Sequence, residues 1–254
     1  MNAGPPIEIS TEPPLSPARL EPGLARFMPT PEEPASSLYA KPGEVEAFLE
    51  KLGPDDLGWR ARLRGLDSSL LRSDTGIAGL RSGAQGLLLV PPFPLKLNRL
   101  TADWDTSPLS SLLAAEYTVG VVLLRLGRSS VAVYRGNRLL TSKTDARYVM
   151  GRHHAGGTSQ LRFQRVREGQ VRRMYDKTCR SVQAQISPYD GQLDYVFLGG
   201  DRITLSNFLK VCPYLERLQG ITLSRRLNIR DPKHDTLARL PNIFRETRLY
   251  RFQW

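Results

Sequence analysis

The sequence predicts an α/β protein built on a mixed sheet, and three observations carry that prediction. Three β-rich runs, Thr118 to Leu126, Ser129 to Tyr134 and Arg138 to Ser142, are separated by the turn signals Gly127-Arg128 and Gly136-Asn137, the pattern of an antiparallel meander. A long amphipathic period follows, with Phe163, Val166, Val171, Met174, Tyr175, Thr178, Val182 and Ile186 at helical spacing. Beyond it Tyr195 to Leu198, Ser206 to Leu218 and Ile221 to Leu227 alternate as strand, helix and strand before a charged C-terminal segment.

The N-terminal part reads differently. Residues 1–42 hold ten of the nineteen prolines, with Glu8, Glu12, Glu21, Glu32 and Glu33 scattered among them, so this stretch buries little and is expected to be a disordered, proline-rich arm. Leu20, Leu24, Phe27 and Met28 are the residues that would dock a short piece of it. From Gly43 the period changes. Val45, Phe48, Leu49 and Leu52 mark a helix ended by Gly53-Pro54, and Trp59, Leu63 and Leu66 suggest a second, giving a small helical subdomain over 43–85. Residues 86–254 then form the main domain. Gly86 to Val90 opens it as a short buried strand stopped by Pro91-Pro92, and Pro108 to Tyr117 is a helix with Leu109, Leu112, Leu113 and Tyr117 on one face.

Composition narrows the function. The 254 residues are 40% hydrophobic, enough for a substantial core, and carry a formal net charge of +11, which favours a polyanionic partner over a merely solvated positive face. The charge is concentrated. Arg147 to Arg180 holds nine Lys/Arg against two acids, a net +7 in a short stretch. Its helix has a polar face of Arg162, Arg165, Arg172, Arg173, Lys177 and Arg180, while Thr158 or Ser159 is suited to cap its first turn. Cys179 and Cys212 are too few and too far apart for a zinc site or a disulfide framework, and are expected to be buried free thiols. With no secretory leader pattern and no apolar run long enough for a membrane span, a soluble, cytoplasmic, monomeric protein is expected.

The stretch GRHHAGGTSQLRFQRVREGQ, from Gly151 to Gln170, resembles the signature of the Vms/Ankzf-like release factors. These are peptidyl-tRNA hydrolases related to the catalytic domain of the eukaryotic class-one release factor, and the resemblance is strongest to their bacterial VLRF-type branch. It runs from about Val90 to the C-terminus. What makes it specific is Gly-Gly-x-x-Gln framed by Arg-His-His and Arg-Phe-x-Arg, where a lone Gly-Gly would mean little. The resemblance implies a ribonuclease-H-like catalytic domain. It also implies that Gly156 and Gly157 let the backbone pass, with Thr158 and Ser159, through the narrow peptidyl-transferase centre of the large ribosomal subunit. Gln160 would then stand at the ester joining the nascent peptide to tRNA.

A glutamine has no useful pKa, so its implied task is to position water through its amide, with nearby backbone N–H groups stabilising the developing oxyanion. Arg152, His153, His154, Arg162 and Arg165, with Arg167, Arg172, Arg173 and Lys177, are assigned to rRNA or tRNA phosphates and stacked bases. The partners implied are the large subunit and peptidyl-tRNA, with no cofactor. The chain departs from ordinary release factors in placing Thr158 and Ser159 between Gly-Gly and Gln, as the Vms/Ankzf-like proteins also do in similar form. It shows no decoding domain, so the expected setting is sense-independent release from stalled or split subunits.

Two other readings stay open at this level. Asp103, Asp105, Glu116, Asp145, Asp194 and Asp201 are acids that a metal-dependent nuclease would need to converge, although their spacing does not demand it. A ribosome-binding module that merely occludes a site is the non-enzymatic alternative, and the glutamine speaks against it. His153 and His154, adjacent and without a nearby carboxylate or thiol, make a poor metal-ligand set, and no metal site is expected.

Overall fold

The computed structural model describes residues 8–64, 68–151 and 158–254, with the side chains of 68–69, 158–160 and 234 outside that description. In chain order the first elements are β1 (Ile9–Leu15), α1 (Pro17–Ala25), β2 (Ala35–Ala40), α2 (Val45–Leu52), α3 (Trp59–Leu63), α4 (Ser68–Leu71), β3 (Ile77–Ser82), β4 (Gln85–Val90), β5 (Arg99–Thr101) and α5 (Ser107–Ala114). They continue as β6 (Thr118–Arg125), β7 (Arg128–Arg135), β8 (Arg138–Ala146), α6 (Thr158–Ile186), β9 (Tyr195–Gly200), α7 (Arg202–Leu209), α8 (Pro213–Arg217), β10 (Thr222–Leu227), α9 (His234–Leu237), α10 (Leu240–Phe244) and β11 (Thr247–Gln253). The chain is a mixed α/β protein with two sheets, and it divides into two compact units, Met1–Ala115 with Asn242–Trp254, and Glu116–Pro241.

The first unit holds a six-stranded antiparallel sheet in the order β1-β11-β4-β3-β2-β5. The proline-rich segment is therefore not a disordered arm over its described part. Its prolines occupy positions that regular structure tolerates. Pro13 and Pro14 lie where the edge strand β1 shifts register against β11, and Pro17 begins α1, where a missing N–H costs nothing. Leu20, Leu24 and Phe27 are buried as anticipated, whereas Met28 is exposed. The 43–85 segment is not a separate helical subdomain either. Its helices α2 and α3 cover one face of this sheet, and β3 within it pairs with β2 and β4. Trp59 is fully buried there and its indole N–H donates to Ser36 Oγ at 3.1 Å, while Leu66 lies outside the described residues.

The second unit carries a mixed five-stranded sheet in the order β10-β9-β6-β7-β8. β6, β7 and β8 form the expected antiparallel meander, and β9 and β10 add in parallel beside β6. Gly127 (φ +90°) and Gly136 (φ +57°) make the two tight turns in the left-handed region, which explains why glycine stands at both. On one face α6, α7 and α8 bury Met174, Tyr175, Val182, Ile186, Phe208 and Leu215 against Val122, Leu124, Val131, Val133 and Val196. The segment from Pro232 to Leu237 attaches through Ser130 Oγ to Pro232 O (2.7 Å) and Tyr134 Oη to Leu237 O (2.8 Å).

Boundaries differ from the sequence expectation in four places. The main domain begins at Glu116 rather than Gly86, because β4, β5 and α5 belong to the first unit. The charged C-terminal segment is β11, the second strand of the first sheet. The single helix expected over Ser206 to Leu218 is two, since Pro213 lacks the N–H that would continue α7 and instead starts α8. The expected free thiols are a disulfide: Cys179 of α6 and Cys212, directly before α8, lie 5.4 Å apart at Cα. Sequence separation was the reason for doubting a bond, and the packing of α8 against α6 removes it.

Candidate functional site

Helix α6 is the element that carries the candidate site, and its length exceeds what the sheet can cover. From Met174 onward its core-facing side is buried through Ile186, with Thr178 Oγ1 donating to Ser129 Oγ at 3.1 Å beneath it. The N-terminal part is different. Leu161, Phe163 and Val166 are 62%, 44% and 43% exposed, so the helix has no covered face from Leu161 to Val166, about 9 Å at 1.5 Å per residue. The sequence period placed Phe163 and Val166 with the core. At about 100° per residue, Val166 stands roughly 140° around the helix from Val171 and shares the side of the arginines.

Those arginines form one stripe. Arg162, Arg165, Arg172, Arg173 and Arg180 are exposed, and among the described residues none of them has an ion-pair partner. The same turn-by-turn geometry that buries Met174, Thr178 and Val182 sets them on the opposite side. Their charge is therefore turned to solvent and available to a polyanion.

Two of the predicted RNA-binding cations are used within the chain instead. Arg167 lies on the inner side of α6, where its Nε donates to Met150 O at 3.0 Å, and Gln170 Oε1 accepts from Met150 N–H at 2.9 Å. Together they fasten the segment after β8 along the helix. Gln170 is a positioning residue that sequence reasoning did not single out, though it closes the Gly151 to Gln170 signature. Lys177 Nζ lies 2.5 Å from Asp145 Oδ1 of β8, and Ser181 Oγ donates to Asp145 Oδ2 at 3.1 Å. Burial alone would raise the Asp145 carboxyl. The hydrogen bonds from Lys177 and Ser181 and the Lys177 charge outweigh it and hold the group below the usual carboxylate range.

The loop itself, Arg152, His153, His154, Gly156 and Gly157, lies outside the described residues. Thr158, Ser159 and Gln160 are described only as backbone in the first turn of α6, so Gln160 is the third helical residue and Thr158 and Ser159 stand inside the helix rather than before it. Tyr148, 80% exposed where the chain leaves β8 for the loop, is an aromatic that the sequence period gave no reason to select.

Four of the six acids weighed for a metal site, Asp105, Asp145, Asp194 and Asp201, have structural tasks. Asp105 accepts from Ser107 and pairs with Arg99, Asp194 accepts the Thr118 N–H at 2.7 Å, and Asp201 caps α7 through Thr204 N–H at 2.8 Å. Among the described residues no three His, Cys, Asp or Glu side chains are grouped to hold a metal ion. Nor is any described helix long and apolar enough to cross a membrane.

The second unit thus presents a mixed sheet and a long helix whose outer side carries an exposed cationic stripe. The profile of the Actinobacteria/chloroflexi VLRF1 release factor family matches residues 117–250, more than half of the chain. The chain belongs to that family. It is similar to peptide chain release factor subunit 1 of Archaeoglobus fulgidus, 28% identical over 123 residues that make up 48% of this chain and 30% of that protein. It is also similar to the same factor from Methanosphaera stadtmanae, 33% identical over 108 residues, 42% of this chain and 26% of that protein. The matched segment thus spans under a third of those relatives' length. Among solved structures, the archaeal translation termination factor aRF1 superposes with a TM-score of 0.36 at 16% identity, covering 84% of this chain and 65% of that one. Pelota from Archaeoglobus fulgidus gives 0.29 at 9% identity, covering 94% and 62%.

Proposed function

We propose that this protein is a peptidyl-tRNA hydrolase that frees nascent chains from stalled or split large ribosomal subunits. Membership of a release-factor family supports a role in translation termination or ribosome rescue. The observation that carries the finer reading is the helix α6. Its exposed outer side, following directly on Gly156-Gly157-Thr158-Ser159-Gln160 in the sequence, bears the stripe Arg162, Arg165, Arg172 and Arg173.

In this mechanism the stripe lies along rRNA and tRNA phosphates, Arg152, His153 and His154 add contacts at the loop, and Gly156 and Gly157 carry the backbone into the peptidyl-transferase centre. Gln160 holds a water against the ester carbonyl carbon. Attack forms the new C–O bond, the bond to the tRNA ribose oxygen breaks, and that oxygen takes one of the water's protons while the other passes to solvent and the peptide leaves as a carboxylate. Arg167 and Gln170 contribute by fixing the loop base at Met150. The site of action is the cytoplasmic ribosome.

The test is to incubate purified large subunits carrying a labelled peptidyl-tRNA with the wild-type protein and separate the products on a gel. Free peptide with full-length tRNA is expected. Shortened tRNA would replace this reading with a nuclease, and stable binding with no product would replace it with an occluding module.

The stripe makes a separate prediction. Arg172→Ala with Arg173→Ala is expected to weaken subunit binding and to lower the slope of log affinity against log salt by roughly 1 for each phosphate contact removed. Both side chains are exposed and unpaired among the described residues, so circular dichroism should be unchanged. An unaltered slope in co-sedimentation across a salt series would remove the stripe from the interface.

A further inference from the structure

Among the described residues, six of the eleven exposed large hydrophobic side chains fall in two short stretches. Leu161, Phe163 and Val166 are at the free end of α6. Ile203, Leu209 and Val211, 68%, 40% and 47% exposed, are on α7 and the turn after it, and nothing in the release mechanism uses them. Of these three, Leu209 also lines a neighbouring trough.

Beside them runs an open trough of about 720 Å³, enclosed by α7, α8 and the edge strand β10. Its apolar lining is aliphatic, from Leu198, Leu205, Leu209, Leu215 and Leu223. Arg202, Lys210 and Arg226 contribute positive charge, against the single acid Glu216. No aromatic ring lines it, so it has no platform on which a nucleic-acid base would stack, and its leucines match aliphatic side chains rather than sugars and phosphates. It lies on a different flank of α7 from Phe208, whose ring meets Tyr175 of α6 at 5.7 Å between centroids.

We propose that this trough is a docking site for an acidic amphipathic segment of a partner protein, with aliphatic side chains about one helical turn apart entering between α7 and β10 and carboxylates meeting Arg202, Lys210 and Arg226. The charge balance of the rim selects acidic over basic segments, and Glu216 sets a preferred direction by repelling a carboxylate at its end. The site would give the protein a protein-borne contact separate from its RNA-facing stripe, and it stands whether or not the chain hydrolyses peptidyl-tRNA.

The probe is a short fluorescent peptide with leucines at helical spacing and glutamates between them, titrated with the full-length protein and followed by anisotropy. A lysine-for-glutamate peptide and a single-stranded RNA oligonucleotide serve as comparisons. Saturable binding of the glutamate peptide is expected, weakened at least about tenfold by Leu209→Asp and by Arg202→Glu with Arg226→Glu, and unaffected by Arg172→Ala. Leu209 and the arginines are exposed, so thermal unfolding should match wild type, and Lys210→Glu gives an independent variant where one of these fails to fold. Equal binding of the lysine peptide, no saturable binding, or an RNA affinity that alone responds to these substitutions would overturn the proposal.

Discussion

Gln160→Ala is expected to lower peptide release from isolated large subunits by roughly 10²-fold or more while leaving subunit binding unchanged, the loss typical when one positioned hydrogen-bonding group is removed from a reacting centre. The separation of the two effects follows from the layout of α6. The charge proposed to bind, on Arg162, Arg165, Arg172 and Arg173, stands on exposed helix C-terminal to Gln160. The glutamine amide is neutral at every working pH, so its loss alters neither the net charge nor the attraction to phosphate. Single-turnover release scored by gel, beside co-sedimentation of the same variant, makes the measurement. Release that persists at the wild-type rate would take Gln160 out of the mechanism and leave the loop backbone as the source of any activity.

Reduction of the Cys179–Cys212 bond is expected to destabilise the protein by about 4 kcal/mol, the chain-entropy value for a crosslink closing the observed 33-residue separation. Against a total stability of roughly 5–15 kcal/mol this is a large share. The bond joins the loop-bearing helix to the start of α8, and Cys212 is fully buried in the same cluster as Met174, Tyr175 and Phe208. Guanidinium unfolding with and without reductant reads the difference directly as a shift in midpoint. A double Cys→Ala variant that unfolds at the wild-type midpoint without reductant would show that packing alone holds α6 to α8.

Much of the second unit was legible because its signals are local. Alternation of apolar residues with two-residue glycine turns gives β6 to β8, since side-chain period and turn chemistry are decided within a few residues. The cationic stripe was also readable, because a helical repeat assigns each arginine to a face without knowledge of the rest of the fold. The first unit was illegible for the opposite reason. β1 pairs with β11, with Ser10 opposite Arg251, a contact between the two ends of the chain that no window of sequence contains. Proline content suggested disorder because composition counts prolines without asking whether each falls at an edge strand or a helix start.

By itself the sequence determined the meander, the long helix and the location of excess charge, all of which follow from short-range periodicity and residue chemistry. Only the tertiary structure decided which part of that helix is covered, that Arg167 and Lys177 turn inward to Met150 O and Asp145, and that Cys179 and Cys212 meet. Those outcomes depend on where the sheet ends beneath α6 and on how α8 packs beside it. A helix presents all its faces in sequence, and the neighbours that cover some and leave others open are set by chain segments far away along it.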